Sequence, residues 1–216
     1  MSSHFDTPLL LGMGFLLALL AIPILFNTGI LATLTENHSA ITLGGMLLVW
    51  MVCVPLGILF FFKALHLLPF PQSMGTEGRR FIIVGIFNTV FYASIFNILT
   101  LFTGITRGAP ILFFSLIAYG LSIIQAFWWN NYWIFGRARH SSTMRVWSLF
   151  SIVMVSTALV SAACTYVLIT VLGAPAGISP RLWVNISIVL VIPLSFLGNF
   201  FGNKFFVFKQ DAPYTS

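Results

Sequence analysis

Charge is almost absent from this sequence. Ten Lys or Arg and four Asp or Glu are spread over 216 residues, 6% of the chain. An ordinary soluble domain carries roughly a quarter charged residues, which would be about 54 here. Fourteen charges cannot coat a water-facing globule of this size. With 59% hydrophobic residues and a mean hydropathy of +1.02, the chain reads as an all-α integral membrane protein. Six apolar runs are long enough to span, at about 8–26, 41–62, 81–103, 110–135, 147–172 and 182–208. Turn-rich breaks separate the last four. What remains between the runs is too short for a soluble catalytic or ATPase domain.

The basic residues orient the spans. With the N-terminus inside, Lys63, Arg79, Arg80, Arg137, Arg139, Arg145, Lys204 and Lys209 all fall on the cytoplasmic side. Only Arg107 and Arg181 fall outside. That bias, over short loops, follows the positive-inside rule. It predicts a cytoplasmic (inner) membrane protein with both termini cytoplasmic, and it gives the net charge of +6 a topological meaning rather than a nucleic-acid one. The first run lacks a basic n-region and a clear cleavage site, so it is read as an uncleaved helix.

Several function classes are disfavoured. There is no Walker motif, dinucleotide fingerprint, paired carboxylate or nucleophile–base pair, so an enzyme is not expected. Cys53 and Cys164 sit in apolar runs without partners at ligand spacing, so no metal or other cofactor is expected. No titratable side chain falls near the middle of a span. Asp6, Glu36, Glu77 and Asp211 lie near ends or in loops, which argues against proton coupling through a buried acid.

The ends of the fourth and sixth runs resemble each other. Residues 125–135 read QAFWWNNYWIF and residues 198–208 read GNFFGNKFFVF. At one constant shift Ser122 meets Ser195, Phe127 meets Phe200, Asn130 meets Asn203 and Phe135 meets Phe208. Each ending is preceded by an outside turn bearing one arginine, Arg107 or Arg181. This predicts that the last four of six transmembrane helices form two repeated hairpins of parallel orientation, an arrangement that often encloses a site. Two units follow: an N-terminal two-helix hairpin over 1–70 and a four-helix domain over 79–209.

Polar residues inside the runs fall on helical faces. Asn88 shares one with Gly85 and Tyr92; Ser122, Gln125 and Trp129 share a second; Ser195, Asn199 and Gly202 share a third. Such amides and hydroxyls serve either as interhelical glue or as the polar lining of a site. The Gly198–Gly202 pair permits close helix contact, within the chain or in a homodimer. Pro193 lies on the same run and disturbs its backbone ladder.

The segment Arg80-Phe-Ile-Ile-Val-Gly-Ile-Phe-Asn-Thr89, with the two Asn-rich aromatic endings, resembles the GtrA-like family, the four-span domain also attached to polyprenyl-phosphate mannose synthases. Gly85, Asn88, Thr89, Asn130 to Phe135 and Asn203 to Phe208 carry the resemblance. Where the family often has an acid after the Asn-Thr pair, this chain has Val90-Phe91-Tyr92. Residues 1–70 are additional to the four-span pattern. The resemblance implies a role in cell-surface polysaccharide or glycan synthesis. One implied role is a flippase-like carrier of a polyprenyl-phosphate-linked sugar. The other is an anchoring or accessory subunit for a polyprenyl-phosphate glycosyltransferase. Substrate contacts are then expected from Arg80 and Lys204 at the inner face, Arg107 and Arg181 at the outer face, and Asn88, Gln125, Asn130, Asn199 and Asn203 between. The same cations also fit topology and binding of anionic lipid.

Overall fold

The computed structural model describes residues 3–67, 75–134 and 144–202. Among them no strand occurs; all regular structure is helical. That follows from the solvent: in hydrocarbon each backbone N–H and C=O must find a partner within its own segment. The helices are α1 (Ser3–Asn27), α2 (Ile30–Asn37), α3 (Ala40–Ala64), α4 (Gly75–Thr103), α5 (Pro110–Trp129), α6 (Met144–Tyr166) and α7 (Pro180–Gly202). A single 3-10 turn, Leu65–Leu67, extends α3. Wider π-helical turns, Asn130–Ile134 and Val167–Leu172, extend α5 and α6. Six of these segments are long and apolar enough to cross a membrane.

The ends obey local chemistry. Pro110 and Pro180 each open a helix, where the missing N–H costs nothing and φ is already set. Ser39 caps α3, its Oγ accepting from the Thr42 N–H at 3.3 Å. The α4–α5 turn needs Gly104 at φ 69° and Gly108 at φ 95°, a region closed to most side chains. The short helix α2 was not expected from the apolar runs. Its eight residues mix Leu31 and Leu34 with Thr33, Thr35 and Glu36, a pattern too polar to register as a span.

The helices pack in sequence, α4 on α5, α5 on α6 and α6 on α7. The N-terminal α1 lies between α3 and α4. Its Leu10, Met13 and Leu17 meet Phe62 of α3, Ile83, Val84 and Phe87 of α4, and Trp133 beyond α5. A second core joins Tyr92 and Phe96 of α4, Ile111, Phe114 and Ala118 of α5, Ile169 beyond α6, and Val184 and Ile188 of α7. By contrast α7 meets α4 only through a small contact, so the ring of four helices is thinly closed on that side.

Close approach of α1 and α3 depends on one glycine. A Cβ on Gly14 would clash with the Pro55 Cα, a backbone atom that cannot move alone. Trp50 Nε1 donates to the Ala18 carbonyl at 3.1 Å across the same crossing. Gly14→Ala is therefore expected to push the two helices apart and cost about 1–3 kcal/mol, as overpacking does. Gly12→Ala is the matched control, because nothing lies within 4 Å of its added carbon. Thermal unfolding in detergent, followed by size-exclusion chromatography, should separate the two variants.

The glycine pair of α7 packs inside the chain at its first member. A Cβ on Gly198 would stand 3.1 Å from the Thr157 methyl of α6.

Candidate functional site

Polar side chains form layers along the bundle, and each layer takes groups from several helices. The layer at the N-terminal end of α4 is built on Arg80. Its Nη2 donates to both carboxylate oxygens of Asp6 in α1, at 2.7 and 3.0 Å. Its Nη1 donates to the Trp133 carbonyl at 2.9 Å, and the guanidinium lies 5.6 Å from the centre of the Trp133 ring system. Trp133 Nε1 donates to Asp6 Oδ1 at 3.0 Å. Asp6 is 5% exposed. One guanidinium nitrogen thus spans both carboxylate oxygens, and the charge-assisted bonds hold this partly buried ion pair. Arg80, expected at the substrate's phosphate, is thus held by an internal anion; its Nε remains buried without a partner among the described residues.

The next layer holds the amides that the sequence singled out. Asn88 Oδ1, both amide atoms of Gln125 and Asn199 Oδ1 are buried with no hydrogen-bond partner among the described residues. Neighbouring contacts fix their depth. Phe87 stacks edge-on against Trp129 at 5.9 Å on one side. On the other, the Tyr92 and Tyr119 rings lie 4.3 Å apart, and Tyr119 Oη is 2.9 Å from Ser195 Oγ. Asn88 lies one turn from Tyr92, Gln125 lies between Tyr119 and Trp129, and Asn199 lies one turn from Ser195. Asn88 and Gln125 therefore fall within the interval between these contacts, on α4 and α5, and Asn199 lies on α7 one turn beyond the Ser195 contact. Gly85, expected on the Asn88 face, is exposed instead.

Beyond the amides comes a layer of hydroxyls. Ser195 Oγ also meets Ser161 Oγ at 2.7 Å, and Tyr92 Oη donates to Ser115 Oγ at 3.4 Å. Ser122 and Thr165 point buried, unpartnered hydroxyls into the same interior. Ser161 and Thr165 of α6 escaped sequence reasoning, since small hydroxyls are common in apolar runs.

The fourth layer was missed altogether. Asn97 of α4 and Asn185 of α7 exchange amide hydrogen bonds at 2.8 and 3.0 Å. Asn27 of α1 donates to Asn97 Oδ1 at 2.6 Å and to Thr100 Oγ1 at 3.0 Å. Four buried polar side chains thus clasp three helices where α4 and α7 touch. A signal existed in the sequence: Asn97 and Asn185 are amides within apolar runs, where polar groups find one another.

At the far mouth Arg107 is exposed, and its Nε donates to the Thr170 carbonyl at 3.2 Å. The Gly108 N–H donates to Thr170 Oγ1 at 3.0 Å, which fastens this turn to the end of α6. Arg181 is exposed at the start of α7, and its carbonyl accepts from Asn185 Nδ2. Asn130 opens the π-helical turn after α5. Asn203 and Lys204 lie outside the described residues.

Six apolar helices, with a polar column running between α1 and α4 to α7, define a multi-pass, all-helical membrane protein with a hydrogen-bonding interior. The family model of the GtrA/DPMS transmembrane domain matches residues 80–208, well over half the chain, and the protein belongs to that family. Membership places it in polyprenyl-phosphate sugar and glycan biosynthesis, in the company of glycosyltransferases. The match begins at Arg80 and leaves α1 to α3 outside it. No curated protein and no solved structure matches the chain.

Proposed function

We propose that this protein carries a polyprenyl-phosphate-linked sugar across the membrane. One observation carries the reading: four amide atoms of Asn88, Gln125 and Asn199, on α4, α5 and α7, are buried without a hydrogen-bond partner among the described residues. An unsatisfied buried polar group costs about 1–3 kcal/mol. A fold that keeps several together gains when a polyhydroxyl ligand satisfies them. Half-buried Trp129 beside this layer offers a ring face to the sugar.

In this reading the Arg80 end faces the cytoplasm, as do both termini. Asp6 already neutralises Arg80, so Arg80 sets the floor of the site rather than meeting the phosphate. Arg107 and Arg181 meet it at the outer mouth, and without a coupling group the gradient of substrate sets the direction. The four helices matched by the family model form the carrier domain, and residues 1–70 a buttressing hairpin. A duplication of hairpins draws support from burial. At the shift that relates Ser122 to Ser195, the buried Ile111, Phe114, Ser115 and Ala118 fall opposite the buried Val184, Ser187, Ile188 and Val191.

The accessory-subunit reading draws on α3. Its Val49, Val52, Leu56 and Phe60 are exposed, a face that fits either lipid or the helix of a glycosyltransferase. A second copy of the chain would fit it equally.

Equilibrium binding separates the two roles. The carrier reading expects the purified protein to bind a labelled polyprenyl-phosphate sugar. Gln125→Leu should weaken that binding about tenfold, the equivalent of one good hydrogen bond. The same variant should bind sugar-free polyprenyl phosphate as well as wild type does. Failure of wild type to bind the sugar-linked lipid leaves the accessory role.

A further inference from the structure

The thin side of the helical ring carries a groove of about 450 Å³, within the range of small-ligand sites. Ile24 of α1, Thr89 and Ala93 of α4, and Asn185, Val189 and Ile192 of α7 line it. From these observations, and resting on the carrier reading, we propose that this groove holds the isoprenoid chain of the substrate while its sugar lies among the amides, so that the α4–α7 seam is the lateral portal.

Three features lead to this. The first is position around α4. Asn88 and Tyr92 face the polar interior, and each following residue turns about 100°, so Thr89 and Ala93 begin the groove directly beside them. Head-group site and groove are two sides of one edge. The second is depth. The Asn97–Asn185 pair closes the upper end, and Val90 and Ile192 line the lower. Asn88 comes just below, followed by Asn199. A lipid with its sugar at that depth would run its chain up the groove, as an inner-leaflet lipid points its chain towards the midplane. The third is closure. The described contact between α4 and α7 is slight; an amide pair joins them at the upper end of the groove, and the apolar contact below it parts at little cost in hydrocarbon, where a lipid chain replaces what is lost. The lining is branched aliphatic carbon, with Asn185 and two threonines at its margins. In the hydrocarbon layer such a surface takes a single chain rather than a polar ligand.

The test needs no transport. The full chain in detergent micelles is irradiated with polyprenyl phosphate bearing a diazirine in its isoprenoid chain, and labelled peptides are mapped by mass spectrometry. The expected result is labelling of 89–93 and 185–192, reduced about tenfold by excess unlabelled polyprenyl phosphate but not by phosphatidylglycerol. Val189→Trp, at a position 62% exposed, should reduce it comparably without loss of thermal stability; Ala93→Trp is the second groove-filling variant. Labelling spread over Val49, Val52 and Leu56 of α3, or unaffected by competitor and by both tryptophans, would overturn the groove. Competed labelling at another helix pair would also overturn it, yet leave the carrier reading standing. An absence of competed labelling anywhere would overturn both.

Discussion

Gln125→Leu is expected to abolish translocation of the lipid-linked sugar and, at the same time, to make the protein more stable. The two effects share one cause. Both amide atoms of Gln125 are buried without a partner among the described residues, so the side chain's desolvation is uncompensated in the empty protein. Leucine has a similar volume and no polar atoms, and replacing an unsatisfied group by an apolar one of like shape is neutral or stabilising. A gain of about 1 kcal/mol would raise the unfolding temperature by roughly 2–4 °C in a chain of this size. Loss of the amide removes contacts that the sugar would make in every position along its path, so a fall in rate of about a hundredfold is expected, some 2.7 kcal/mol of barrier. A purely structural amide behaves in the opposite way: its removal lowers stability and affects transport only through the fraction of protein that folds. Unfolding temperature and transport rate, measured on the same preparation, separate the two.

The largest loss of stability is expected from Arg80→Ala. This substitution strands the Asp6 carboxylate, 5% exposed, and removes the donor to the Trp133 carbonyl. Breaking a buried pair by deleting one partner costs about 3–5 kcal/mol, or roughly 10 °C in unfolding temperature. The reciprocal change should be milder. In Asp6→Ala the arginine side chain, 17% exposed in the native pair, can swing its charged head towards water while its stem stays packed. The expected order of stability is therefore wild type, then Asp6→Ala, then Arg80→Ala, read from thermal melts in one detergent. The same order bears on the N-terminal hairpin. Asp6 lies on α1, outside the segment matched by the family model, so this ion pair fastens the additional helices to the family domain.

Much of this arrangement was legible in the sequence. Hydropathy located six spans, because a run of some 20 apolar residues has few other fates. Helical spacing placed Asn88 with Tyr92, and Ser195 with Asn199, on faces that the structure turns inward. The Gly198 contact with Thr157 chose one of the two packings that a small-residue pair allows. What stayed hidden was pairing at long range. Asp6 and Arg80 are 74 residues apart, and Asn97 and Asn185 are 88 apart. No periodicity connects them, and only the packing of α1 and α7 on α4 brings them together. An acid in the first turn of an apolar helix might have been read as half of an ion pair, since a lone charge there is costly. Its partner could not have been named. The basic residues illustrate the converse. Arg80 was singled out as a phosphate contact beside a motif, whereas its Nη2 is held by Asp6 and its Nη1 by the Trp133 carbonyl. Arg107, singled out for opposing the charge bias, spends one donor on the end of α6 and leaves the rest of its guanidinium at the surface.

The carrier role requires that this chain alone move the lipid-linked sugar between leaflets. Purified protein is reconstituted into liposomes with a labelled polyprenyl-phosphate sugar, and the fraction exposed at the outer leaflet is followed with time. Exchange is expected well above that of protein-free liposomes, suppressed by Gln125→Leu and reduced by Arg107→Ala. Exchange no faster than in protein-free liposomes, from protein shown to be folded, would contradict it.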